Sequence, residues 1–149
     1  DTYSMSAEKE YIKLNLKLKL VALWTSLMFL VIYLDYFHLY MPGSIKDILS
    51  EKMFVFDITQ VTLLIGLISV TIPTLMIIFS VTLSARISRW TNIIVAAVYI
   101  PYTLFNLVGE AWIHMVWGAT VEVILLLLII RYAWKWPKHD SNSTKKLDP

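Results

Sequence analysis

Long apolar stretches, broken at intervals by single charges, dominate the chain from Leu20 onward. Between Asp57 and Arg86 lie 28 residues with no formal charge, and between Arg89 and Glu110 lie 20. A hydrocarbon core of ~30 Å needs ~20 helical residues, so either window can cross it unaided. Two further runs are apolar apart from one acid each. Leu20 to Met41 contains Asp35, and Met115 to Trp134 contains Glu122 before the closing Arg131. A mid-span acid costs roughly 2.5–3.5 kcal/mol, and each Leu or Ile returns roughly 0.3–0.6. The nine Val, Ile and Leu residues between Val121 and Ile130 therefore offset Glu122. The pattern predicts an all-α fold: an integral membrane four-helix transmembrane bundle with spans at about 20–41, 58–83, 90–108 and 115–134, inside a domain covering 18–137.

Lys and Arg set the expected orientation. One side of this arrangement holds Lys9, Lys13, Lys17, Lys19, Arg86, Arg89, Arg131, Lys135, Lys138, Lys145 and Lys146; the other holds Lys46 and Lys52. The positive-inside rule then puts both termini in the cytoplasm, N-in and C-in. Residues 1–17 read as a cytoplasmic N-terminal segment and 138–149 as a polar, disordered cytoplasmic tail. No small-residue cleavage site follows the first apolar run, so it reads as a span and not a signal peptide. On the outer side, Met41-Pro42-Gly43 ends the first helix. Ile45, Ile48, Leu49, Met53 and Phe56 then recur at helical spacing, predicting a short amphipathic segment from Ser44 to Phe56 along the outer interface. It reads as a surface connector, with a functional lid as the alternative. Ser84 to Arg89 is a tight basic turn.

Composition narrows the chemistry. The 149 residues are 58% hydrophobic and 16% charged, with a mean hydropathy of +0.66. The absence of Cys excludes disulfides, thiolate metal sites and thiol–disulfide exchange. Four scattered Gly build no nucleotide loop, and a net charge of +2 suggests no nucleic-acid partner. No paired-His metal motif, haem-ligation pattern or Ser-nucleophile context occurs, so neither a metal nor a cofactor is expected. Glu110 and His114 share a short Trp-bracketed connection and read as an interface patch.

Polar and small residues inside apolar helices usually mark helix contacts. Thr59, Thr62, Gly66, Ser69, Pro73, Met76 and Ser80 form one face of the second span. Asn92, Ala96, Tyr99, Thr103, Asn106 and Glu110 form one face of the third. Gly118, Ala119 and Glu122 cluster in the fourth; Trp24, Met28, Asp35 and His38 lie near one stripe of the first. At ~1.5 Å per residue, Asp35 stands ~24 Å above Lys19, Glu122 ~20 Å above Lys135 and Asn106 ~26 Å above Arg89. Similar depths would let Asp35, His38, Asn106 and Glu122 converge on a pocket open to the outer face. Tyr99, Tyr102 and Trp24 complete the candidate ligand or proton site. The structural alternative puts Asp35 at headgroup level and bonds Glu122 to Asn106 or a Tyr hydroxyl. Pro73 and Pro101 each free a carbonyl one turn earlier and would widen such a cavity.

Several short motifs carry a family resemblance. Lys19-Leu20-x-x-Leu23-Trp24, Tyr33-x-Asp35, Leu39 and Pro42-Gly43 resemble the first span of a family of small bacterial four-helix membrane proteins known only as a domain of unknown function. Arg86-x-x-Arg89-Trp90-x-Asn92, Glu122 and Tyr132-Ala133-Trp134-Lys135-Trp136 fit the same pattern. The family is loosely similar to the DoxX-like group, and the resemblance covers residues 15–137. It implies a bacterial inner-membrane protein; the DoxX-like group adds quinone or sulfur-oxidant metabolism, of which the missing Cys argues against the thiol part.

Three functions fit these residues. The first is non-catalytic: a lipid or hydrophobic-ligand pocket in the bundle, or a subunit of a membrane complex, with a homodimer among the possible assemblies. The second is a proton-coupled small transporter using Glu122 or Asp35. The third is an isomerase-type membrane enzyme acting on a lipid-like substrate.

Overall fold

The computed structural model describes residues 2–53, 56–108 and 112–136. Five helices and one small hairpin follow in the order α1 (Thr2–His38), α2 (Ser44–Leu49), β1 (Lys52–Met53), β2 (Phe56–Asp57), α3 (Gln60–Thr82), α4 (Ala85–Phe105) and α5 (Ile113–Trp134). The expected tail 138–149 and Glu110 lie outside the described residues.

Helix α1 is one continuous element of 37 residues, ~55 Å long. The lysine-bearing stretch before the first span continues the same helix. No Gly or Pro occurs before Pro42, so nothing in the backbone marks the boundary where the lysines begin. The helix ends at His38, and Gly43 (φ +96°) supplies the left-handed residue that turns the chain into α2. The expected amphipathic segment from Ser44 to Phe56 is only half helical. Helix α2 stops at Leu49, Glu51 takes a positive φ of 60°, and Lys52–Met53 pairs antiparallel with Phe56–Asp57. The all-α expectation is corrected to that extent, because a left-handed residue reverses the chain where one more helical turn was expected.

A reciprocal cap opens α3: Thr59 Oγ1 accepts the Thr62 N–H at 3.1 Å, and Thr62 Oγ1 accepts the Thr59 N–H at 2.8 Å. Only Leu83 and Ser84 separate α3 from α4. Three stretches are long and apolar enough to cross a membrane: Glu10–His38, Gln60–Thr82 and Ile113–Trp134. Helix α4 has the length, at 21 residues, but Arg86, Arg89, Asn92 and Pro101 dilute its apolar content.

Helix α1 packs against α3 and α5, and α5 against α4; α3 and α4 meet over a smaller area. The neighbours run antiparallel in steady register. Lys19 lies over the Tyr132 ring at 5.2 Å, while Gly118 meets Leu34. Arg89 lies 5.3 Å from the Trp134 ring, while Thr103 reaches Glu122.

The core is lopsided. Leu16, Leu20, Trp24, Met76, Leu126 and Ile129 are buried together toward the Lys19 end. Toward the Asp35 end α3 is less covered by its neighbours. No residue of α3 before Pro73 is buried, and a Cβ added at Gly66 would meet nothing within 4 Å. The face predicted to run from Thr59 to Ser80 is thus fully buried only from Pro73 onward, where Met76 and Ser80 are also buried.

Candidate functional site

The buried polar residues fall into two groups. The first lies in the packed half. Asn92 is fully buried, and its Oδ1 accepts the indole N–H of Trp24 at 2.6 Å. Ser80 Oγ stands 3.0 Å from the same oxygen, and Asn92 Nδ2 donates to the Ser88 carbonyl at 2.7 Å. Three helices are tied through one amide. Trp24, expected at the candidate pocket, is committed here, ~16 Å along α1 from Asp35.

The second group surrounds Glu122. This carboxyl is only 6% exposed, near the middle of α5. Thr103 of α4 and Asp35 of α1 both lie within electrostatic reach of it. Thr103 is itself buried. Asp35 is exposed, with His38 one turn further on and close enough to act on it electrostatically. The two acids are not level: the Leu34–Gly118 contact puts Asp35 about five residues, ~7 Å, nearer the His38 end of α1 than Glu122. Asn106 is exposed and caps α4 through its backbone N–H to the Tyr102 carbonyl, outside this group.

Tyr99 and Tyr102 face α3. The Tyr99 hydroxyl donates to the Ser69 carbonyl, and the Tyr102 hydroxyl lies 3.1 Å from Ser69 Oγ. They bridge two helices that meet over a small area. His114 packs edge-on to Trp112, with ring centroids 6.2 Å apart. Among the described residues, no group of three His, Asp or Glu side chains could hold a metal ion.

Between α4 and α5 the surface is concave and apolar. A crevice of about 250 Å3 runs between Leu104 and Leu107 on one side and Val116, Ala119, Thr120 and Val123 of α5 on the other. Leu104 follows Thr103 and Val123 follows Glu122, so the apolar walls adjoin the polar pair in sequence on both helices. Sequence reading had placed Thr103 on the right face of its helix. Its approach to Glu122 depends on the rotation of α4 against α5, which periodicity does not report.

Fold and site together define a small helical protein with apolar helices of membrane-crossing length and a buried carboxyl between them. The chain belongs to DUF6326, a family of unknown function, which matches residues 10–143. No curated protein and no solved structure matches it. The family brings no activity with it.

Proposed function

We propose that this is a small bacterial inner-membrane protein that binds an amphipathic, lipid-like ligand, with its head at Glu122 and Thr103 and its tail in the adjoining apolar crevice. One observation carries the reading: a carboxyl 6% exposed in an apolar helix that also lines an open apolar crevice. Ionisable groups at such depth are costly and usually face a bundle interior or water-filled cavity, where they serve function. Glu122 and Asp35 offer oxygen acceptors, which favours a head group that donates hydrogen bonds, such as a hydroxyl or an amine. Helix α4 crosses with the other three, since it lies along α5 from Arg89–Trp134 to Thr103–Glu122. The excess of Lys and Arg at the Lys19 end puts both termini on the cytoplasmic side.

Native mass spectrometry of protein released gently from membranes tests the reading. A retained small molecule, lost in Glu122→Gln and weakened in Asp35→Asn, is the expected result. A ligand-free protein, or a ligand indifferent to both changes, would overturn it. A second reading, proton-coupled exchange of an amphipathic substrate, draws on the electrostatic contact between Asp35 and Glu122 on two spans. A pH-gradient-driven flux in liposomes that disappears in Glu122→Gln would favour it.

A further inference from the structure

The Lys19 end of the bundle carries a second cluster, distinct from Glu122. Lys17 Nζ donates to the Val81 carbonyl at 2.8 Å, and Lys19 sits over Tyr132, so the start of the α1 span, the end of α3 and the end of α5 meet here. Arg89 joins them from α4. Its guanidinium carbon lies 5.8 Å from the Trp90 ring and 5.3 Å from the Trp134 ring. Its Nε is buried with no hydrogen-bond partner among the described residues, and no described carboxylate pairs with it. The buried Trp136 Nε1 at the same end is also without a partner. Buried donors left unmade are costly, and a guanidinium presents five N–H groups in a planar fork suited to phosphate. Among the described residues, what the cluster lacks is an acceptor that carries negative charge.

We infer that Arg89, framed by Trp90 and Trp134, seats the phosphate of an anionic glycerophospholipid. A lipid fits better than free phosphate for two reasons. Both indoles are exposed, as side chains at a membrane–water boundary are. From Trp90 the exposed residues Ile94 and Val98 continue along α4 at helical spacing, an apolar track for an acyl chain leading away from the cation. Arg86 adds charge one turn earlier without ring contacts, which makes it the natural comparison.

The test uses the full chain in neutral detergent, with phosphatidylglycerol or phosphatidylcholine added, and lipid retention read by native mass spectrometry. Phosphatidylglycerol is expected to be retained roughly ten-fold more than phosphatidylcholine, because both carry the phosphate but the choline ammonium offsets its charge and is repelled by the Arg and Lys cluster. Arg89→Gln should abolish that preference. Arg89→Lys, which keeps the charge and loses the fork, should lower it while leaving the fold intact. Arg86→Gln should keep it within about two-fold. Glycerol 3-phosphate at millimolar concentration should not displace the lipid. Equal retention of the two lipids, indifference to Arg89→Lys, or an equal loss in Arg86→Gln would overturn the assignment. Displacement by glycerol 3-phosphate would overturn the lipid as the source of the phosphate.

Discussion

Tyr99 donates its hydroxyl to the carbonyl of Ser69, which is the acceptor that Pro73 leaves without a helical partner. A proline has no N–H, so the carbonyl four residues earlier loses its normal bond. In apolar surroundings a free carbonyl is expensive, and a neighbouring helix commonly supplies the missing donor. The bond therefore joins two features of the chain, the kink-prone proline of α3 and the tyrosine face of α4. It holds together two helices whose direct contact is small.

That relationship predicts a conditional effect. Tyr99→Phe should destabilise the protein by about 1 kcal/mol, as hydrogen bonds between membrane helices do. In a Pro73→Ala background the Ser69 carbonyl regains its helical partner, and the same Tyr99→Phe change should cost much less. A double-mutant cycle by denaturant or thermal unfolding in detergent checks this. Equal costs in both backgrounds would mean the proline and the tyrosine are uncoupled.

Gly118 marks a close approach of α1 and α5. A Cβ there would lie 2.4 Å from both Leu34 methyl carbons and 2.9 Å from its Cγ. Gly118→Ala gains up to about 1 kcal/mol of helix propensity but meets an overpacking cost of roughly 1–3 kcal/mol. Packing wins, so Gly118→Ala should destabilise. In a Leu34→Ala background the obstruction is gone and the sign should reverse. Unfolding midpoints of the four proteins measure it.

Asn92 serves three donors and acceptors from buried residues of two helices beside its own turn. Asn92→Ala leaves the Trp24 N–H and the Ser80 hydroxyl short of one acceptor and opens a small cavity. A loss of roughly 2–4 kcal/mol is expected. Trp24→Phe removes one donor from the same knot and should cost less than Asn92→Ala. The ranking, read from unfolding in mild detergent, is the check.

The connection between α1 and α3 contains two left-handed residues, Gly43 and Glu51. At Gly43 nothing crowds an added Cβ closer than Asp47 Oδ2 at 4.0 Å, so Gly43→Ala should cost only the backbone strain, about 1–2 kcal/mol. Glu51→Gly relieves the same kind of strain and should leave the protein equally or more stable. Hydrogen exchange over α2 and the hairpin reads both effects locally.

Several particulars were legible in the sequence. The charge-free window between Asp57 and Arg86 brackets α3, and Gly118, Ala119 and Glu122 all turned out buried. Asn92, Ser80 and Thr103 were placed on contact faces, and they are buried. The partners were not legible. Trp24 bonds Asn92, and Tyr99 bonds a backbone carbonyl of α3.

What the chain determined by itself is where long apolar helices form and which residues they cannot easily leave exposed. Those are properties of single residues and of local spacing, so transfer energies and periodicity report them. The tertiary structure decided which polar groups meet, that the core closes more fully toward the Lys19 end, and that α3 is less covered toward the Asp35 end. Such choices depend on the rotation and axial register of one helix against another. Between apolar helices the hydrophobic effect barely distinguishes the alternatives, and small contacts such as Leu34 on Gly118 decide among them.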